Sequence, residues 1–182
     1  MKFISQNIKD LFLIIPDLHS DDRGVFRRSF CKEIFEKNGV NFNSLQGNIS
    51  ENFNKHTLRG FHYQSSPSDE SKIITCVTGA LFNIVVDLRK KSKTYGKFFK
   101  IILNDKNCKS LFIPENFAHG FYVLEENTEV VYKTTDFYNS EEERSIKWDD
   151  KDISIRWPLD TTPSLSSKDK EGTSLKKAEL PD

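Results

Sequence analysis

Cysteine is scarce in this chain of 182 residues: Cys31, Cys76 and Cys108 are the three present. They are odd in number, widely spaced and in no CxxC pair, so neither a disulfide framework nor a thiolate zinc site is expected. Excess charge is missing too. Lys plus Arg and Asp plus Glu number 27 each, which removes the broad basic field that nucleic-acid binding without sequence preference depends on. Long apolar runs are absent, since the longest, residues 11–15, is far short of the roughly 20 residues of a membrane helix. The opening MKFISQNIKD turns polar at Ser5 and lacks the apolar centre of a secretion signal. No membrane or nucleic-acid partner and a cytoplasmic location are therefore expected. With 8 Gly, 6 Pro and 12% aromatic residues, the chain has the large apolar side chains of one globular domain over 1–182, with a polar C-terminal arm over 161–182.

Strand signals dominate the middle of the chain. Residues 72–89 (KIITCVTGALFNIVVDLR) are rich in Ile and Val and broken at Thr78-Gly79, which predicts two strands joined as a hairpin. Residues 96–103 and 110–113 read as two more strands, the second ended by Pro114. Residues 119–124 and 128–134, separated by Glu125-Glu126-Asn127, read as another hairpin. Helix signals are few. Ile34 and Phe35 follow Cys31 at helical spacing and Gly39 supplies a stop, so a short helix is expected over 31–38. Many short strands with little helix predict an all-β sandwich or jelly roll with short helical arms.

The densest polar cluster is LRGFHYQ, residues 58–64. In an unbroken strand Arg59 and His62 point to opposite faces; a distortion at Gly60 would bring them to one pocket. Each candidate has an ordinary reading as well: a satisfied rim histidine at His62 or His119, a snorkelling Lys72, a core Tyr132. His56 and His62 do not form a close pair followed by a carboxylate, so a bound metal is not expected.

In order, the segments LRGFHYQ, KIITCVTGALFNIVVDLR, SKTYGKF, FIPENFAHGFYVL, EVVYKTTDFY, ERSIKWDD and IRWP resemble those of the dTDP-4-dehydrorhamnose 3,5-epimerase family. These enzymes act on nucleotide-diphosphate 4-keto-6-deoxysugars, and the match extends from about residue 21 to residue 170. The resemblance implies a cupin-type double-stranded β-helix, a homodimer with strand exchange, and no metal or organic cofactor. It also implies a nucleotide-diphosphate sugar substrate whose 4-keto group acidifies the hydrogens on carbons 3 and 5. Inversion then needs a base, an acid on the opposite face and a stabiliser for the enolate oxygen. By position, His62 is the base, Asp169 its orienting carboxylate, Tyr132 the acid and Lys72 the cation near the enolate. Arg59 and Arg23 fall on substrate-binding positions, as do Gln46, Asn48, His119, Glu143 and Lys168, and Tyr138 on that of an aromatic stacked on the base.

Three departures from the family pattern stand out. Arg28 replaces a Glu expected near the nucleobase, and a group that can only donate hydrogen bonds fits cytosine or guanine better than thymine, which points to CDP or GDP. Gly47 and Asn83 stand where Asp is common, and a changed barrel wall would allow inversion at a single carbon. The competing expectations are a catalytically silent nucleotide-sugar-binding cupin and a ketoisomerase on a related barrel.

Overall fold

Thirteen strands follow one another among the described residues, 1–180, of this computed structural model: β1 (Lys2–Ser5), β2 (Phe12–Ile15), β3 (Leu18–Asp21), β4 (Gly24–Arg27), β5 (Gln46–Asn52), β6 (Leu58–Gln64), β7 (Lys72–Thr78), β8 (Ala80–Asp87), β9 (Phe98–Asn104), β10 (Ser110–Ile113), β11 (Phe117–Val123), β12 (Thr128–Thr134) and β13 (Glu143–Ser145). Helix α1 (Lys32–Lys37) falls where expected, and α2 (Ser167–Lys170) is a single turn in the C-terminal arm. The last two residues of that arm, 181 and 182, lie outside the described residues. No helix among the described residues is long and apolar enough to cross a membrane.

Two antiparallel sheets face each other, one ordered β1-β2-β10-β7-β12-β5 and the other β13-β6-β11-β8-β9. This is the expected jelly roll, but its strands do not pair as the local turn signals suggest. β7 and β8 both form, yet β7 pairs with β10 and β12 while β8 pairs with β9 and β11, so residues 72–89 are no hairpin. β11 and β12 likewise belong to opposite sheets. Of the consecutive strands from β5 onward, only β8 and β9 pair directly. The physical reason is closure. Each strand has an inward face to bury against the other sheet, and a turn signal marks where the chain reverses without saying which sheet it enters next. At Gly79 (φ +74°) the chain crosses between sheets so closely that a Cβ would stand 2.4 Å from Thr128 Oγ1.

Period-two alternation sorts the side chains. Inward residues of both sheets, among them Leu81, Val85, Leu103, Leu111, Val123 and Val130, fill one end of the barrel with apolar packing. The outer face of the six-stranded sheet is covered by α1 and its flanks, where Phe35 and Phe42 are fully buried. The outer face of the five-stranded sheet is covered by the C-terminal stretch through Ile146, Ile153 and Leu175. Strands β3 and β4 form a separate two-stranded ribbon that exposes Leu18, Val25 and Phe26. Strand β5 ends the six-stranded sheet with Ile49 69% exposed on its outer face.

Candidate active site

Between the two sheets, bordered by the apolar packing through Ile74, Phe121 and Val130, lies a cavity of about 340 Å³. Its walls follow from alternation: Gln46, Asn48 and Ser50 from β5, Val130, Tyr132 and Thr134 from β12, and Lys72 and Ile74 from β7 on one side. Arg59, His62 and Gln64 from β6 and His119 and Phe121 from β11 stand on the other.

Arg59 and His62 share this wall although they are three positions apart. Against β11, His62 pairs with His119 and Arg59 with Phe121, so two residues of β6, Gly60 and Phe61, stand opposite the single Gly120. This bulge resets the alternation and sends Phe61 outward to pack with Trp157. Gly60 is required there. Its φ is +106°, and a Cβ would lie 2.5 Å from the carbonyl oxygen of His119.

His62 Nε2 lies 2.6 Å from Asp169 Oδ1. A carboxylate only accepts, so Nε2 carries a proton, and in the neutral ring the lone pair is on Nδ1. Asp169 is 3% exposed and also accepts from Gly60 N–H at 3.1 Å and Ser166 Oγ at 2.7 Å. Burial pushes its carboxyl up, but the His62 hydrogen bond and charge, with Ser166 and Gly60, outweigh that and hold it below its ordinary value. Tyr132 belongs to the other sheet and reaches the same cavity. Burial first, then the charge of Glu70, raises its phenol, which stays protonated at neutral pH. Lys72 Nζ is 2.7 Å from Glu70 Oε1, both side chains largely buried in the cavity wall. Arg59 is steadied by its Nε donating to Asn52 Oδ1 at 2.9 Å.

At the mouth, the Tyr138 hydroxyl donates to Glu143 Oε2 at 2.6 Å, and the Tyr138 N–H donates to Gln46 Oε1 at 3.0 Å. Lys168 pairs with Glu143 from outside the wall. Burial raises the Glu143 carboxyl, and the hydrogen bonds from Lys168 and Tyr138 more than reverse it. His119 Nε2 is 2.7 Å from Asn83 Oδ1; burial, then the positive charges of Lys72 and His62, push its pKa down to about 3, so the ring is neutral.

Two expected residues lie elsewhere. Arg23 sits on the exposed β3–β4 ribbon with its guanidinium on Asp21 at 2.5 Å, and Arg28 is exposed just beyond that ribbon. Neither lines this chain's cavity. Gly47 faces away from the cavity, between Gln46 and Asn48, so it does not alter the wall. Glu70 and Ser50 line the cavity without having been singled out in the sequence.

The model of the dTDP-4-dehydrorhamnose 3,5-epimerase family matches residues 5–177. A dTDP-4-dehydrorhamnose 3,5-epimerase of Shigella flexneri is 43% identical over 173 residues, covering 94% of each chain. Among solved structures, dTDP-6-deoxy-D-glucose-3,5-epimerase from Legionella pneumophila Philadelphia 1, in complex with dTDP-4-keto-L-rhamnose, superposes with a TM-score of 0.95 at 36% identity, covering 99% of this chain and 97% of that one. The dTDP-4-dehydrorhamnose 3,5-epimerase of Bacillus anthracis, with TDP and PPi bound, superposes with a TM-score of 0.92 at 38% identity, covering 95% and 98%. Both hold thymidine nucleotides, which does not favour the CDP or GDP expected from Arg28. An imidazole on one sheet backed by a carboxylate from α2, a phenol on the other sheet and a full-length match in sequence and fold lead to one conclusion: this chain belongs to the dTDP-4-dehydrorhamnose 3,5-epimerase family.

Proposed function

We propose that this protein inverts carbons 3 and 5 of a dTDP-4-keto-6-deoxyhexose by proton transfer through an enolate. The observation that carries the reading is that His62, held from behind by Asp169, and Tyr132 enter one cavity from opposite sheets. A sugar ring between them offers one face to a base and the other to an acid. Nδ1 of His62, its lone pair free because Nε2–H is held by Asp169, removes the hydrogen on carbon 3 or 5, and the imidazolium formed is stabilised by the carboxylate. Tyr132 then delivers its phenolic proton to the same carbon from the opposite face. Negative charge gathers on the carbon-4 oxygen during each step, and Lys72 is the cation suited to meet it in this enclosed wall.

Arg59 binds the diphosphate, with His119, Gln46 and Asn48 contacting the nucleotide sugar, and Tyr138 stacks on the thymine. Glu143 and Lys168 hold the mouth. We assign Arg23 and Arg28 to the site of a partner copy, in a homodimer. The support is that a two-stranded ribbon exposing Leu18, Val25 and Phe26 is marginal alone, while β5 offers an unpaired edge with Ile49 and Phe53 exposed beside it. A reducing, cytoplasmic setting fits three cysteines that all remain free.

The test is incubation with dTDP-4-keto-6-deoxyglucose in deuterium oxide, followed by NMR. Deuterium is expected at carbons 3 and 5 with inverted product; no exchange at either carbon would refute the reading.

A further inference from the structure

Asn83 lies on the inward face of β8, in line with Leu81 and Val85, and is fully buried. Its amide meets His119 Nε2 at 2.7 Å through the atom placed as Oδ1, and Nδ2 is buried with no hydrogen-bond partner among the described residues. An amide keeps its outline when oxygen and nitrogen are exchanged, so hydrogen-bond counting decides which atom faces the ring. With Oδ1 toward His119, the ring donates and both N–H groups of Nδ2 are stranded in the barrel. With the amide turned half a turn, Nδ2 donates one N–H to Nε2. Within the amide the stranded donors fall from two to one, the oxygen left over is an acceptor, a lesser cost than a stranded donor, and the ring proton moved to Nδ1 belongs to a side chain that lines the cavity.

We propose that Asn83 donates from Nδ2 to His119 Nε2, which fixes His119 as the tautomer protonated at Nδ1 and makes it a hydrogen-bond donor to an electron-rich oxygen of the bound nucleotide sugar. Asn83 is thus a positioning residue acting through His119. The ring has a single proton to place, because burial first and then the nearby positive charge of Lys72 keep it neutral. Arg59 and Lys72 line the same cavity, so His119 adds a third donor to a wall suited to phosphate or carbonyl oxygen. The ligand half of this inference rests on the proposed substrate; the tautomer is a property of the free protein.

Long-range proton–nitrogen NMR of ¹⁵N-labelled protein reads the tautomer directly. His119 is expected to show a pyridine-type Nε2 and a pyrrole-type Nδ1; the reverse pattern overturns the proposal. In Asn83→Asp, where the side chain only accepts, the proton is expected to shift to Nε2, and an unchanged pattern would mean that Asn83 does not set it. On adding dTDP or dTDP-glucose, with binding followed by calorimetry, the Nδ1–H signal is expected to shift. A shift with both ligands marks a phosphate oxygen, and one with dTDP-glucose alone marks the sugar. Binding that leaves His119 unmoved overturns the donor role. Failure of both to bind overturns it together with the proposed substrate, while the tautomer stands or falls on the free-protein spectrum.

Discussion

His62 and Asp169 are 107 positions apart in the chain and 2.6 Å apart in the fold, and Gly60, two residues before His62, donates its N–H to the same carboxylate oxygen. One buried carboxylate therefore orients the ring and pins the bulge that aims it. In Asp169→Asn the amide still fits, but the charge that stabilises an imidazolium is gone. Turnover is expected to fall on the order of a hundredfold, measured as kcat with the substrate in excess.

The same carboxylate predicts a pH signature. Its folded pKa is depressed below the ordinary 3.8. Such a group stabilises the fold above its unfolded value, and that contribution is lost as pH falls through the lower folded value. The melting temperatures of the wild type and Asp169→Asn are thus expected to differ most near neutrality and to converge below pH 3.8; a constant gap would contradict the assignment.

On the proposed mechanism, Tyr132 and His62 separate by the step they serve. His62→Ala is expected to abolish deuterium uptake at both carbons. Tyr132→Phe keeps the base, so uptake continues, but inverted product forms roughly a hundredfold more slowly. Equal loss of both signals in Tyr132→Phe would assign the phenol a different task. Because the phenol is raised above its ordinary 10, its deprotonation is expected to leave activity unaffected until the pH is higher than that.

Gly60 carries the geometry of the cavity wall. In Gly60→Ala a Cβ would stand 2.5 Å from the His119 carbonyl oxygen and 2.7 Å from Gly120 Cα, at a φ of +106°. The neighbours are backbone and cannot swing aside. A loss of roughly 3 kcal/mol is expected, read as a shift in the denaturation midpoint at unchanged slope.

The exposed ribbon bears on assembly. Phe26→Asp and Ile49→Asp each place a charge on an apolar surface that the proposed dimer covers, so sedimentation equilibrium is expected to move toward the monomer, with activity falling in parallel. Wild-type protein that sediments as a monomer would remove the ground for placing Arg23 and Arg28 in a partner's site.

Strand positions were legible because alternation and β-branched runs are local: residues 72–78, 80–87 and 128–134 are strands as their composition predicts, and α1 falls within 31–38. Pairing was not legible. Thr78-Gly79 and residues 125–127 look like hairpin turns, yet each carries the chain between sheets. In sequence Glu70 is a carboxylate after Ser68 and Asp69 like any loop charge, and only the fold sets its side chain in the cavity wall beside Lys72.

By itself the sequence determined the all-β class, the positions of most strands from residue 72 to residue 134 and, through an ordered series of matching segments, the family, since short-range periodicity and residue identity are written along the chain. Tertiary structure alone decided that a two-for-one mismatch against Gly120 turns Arg59 and His62 to one side, that Asp169 arrives behind His62, and that the ribbon bearing Arg23 leaves its own cavity. Those outcomes depend on which distant backbones come into register, and register is set by the burial of whole faces rather than by any neighbouring residue.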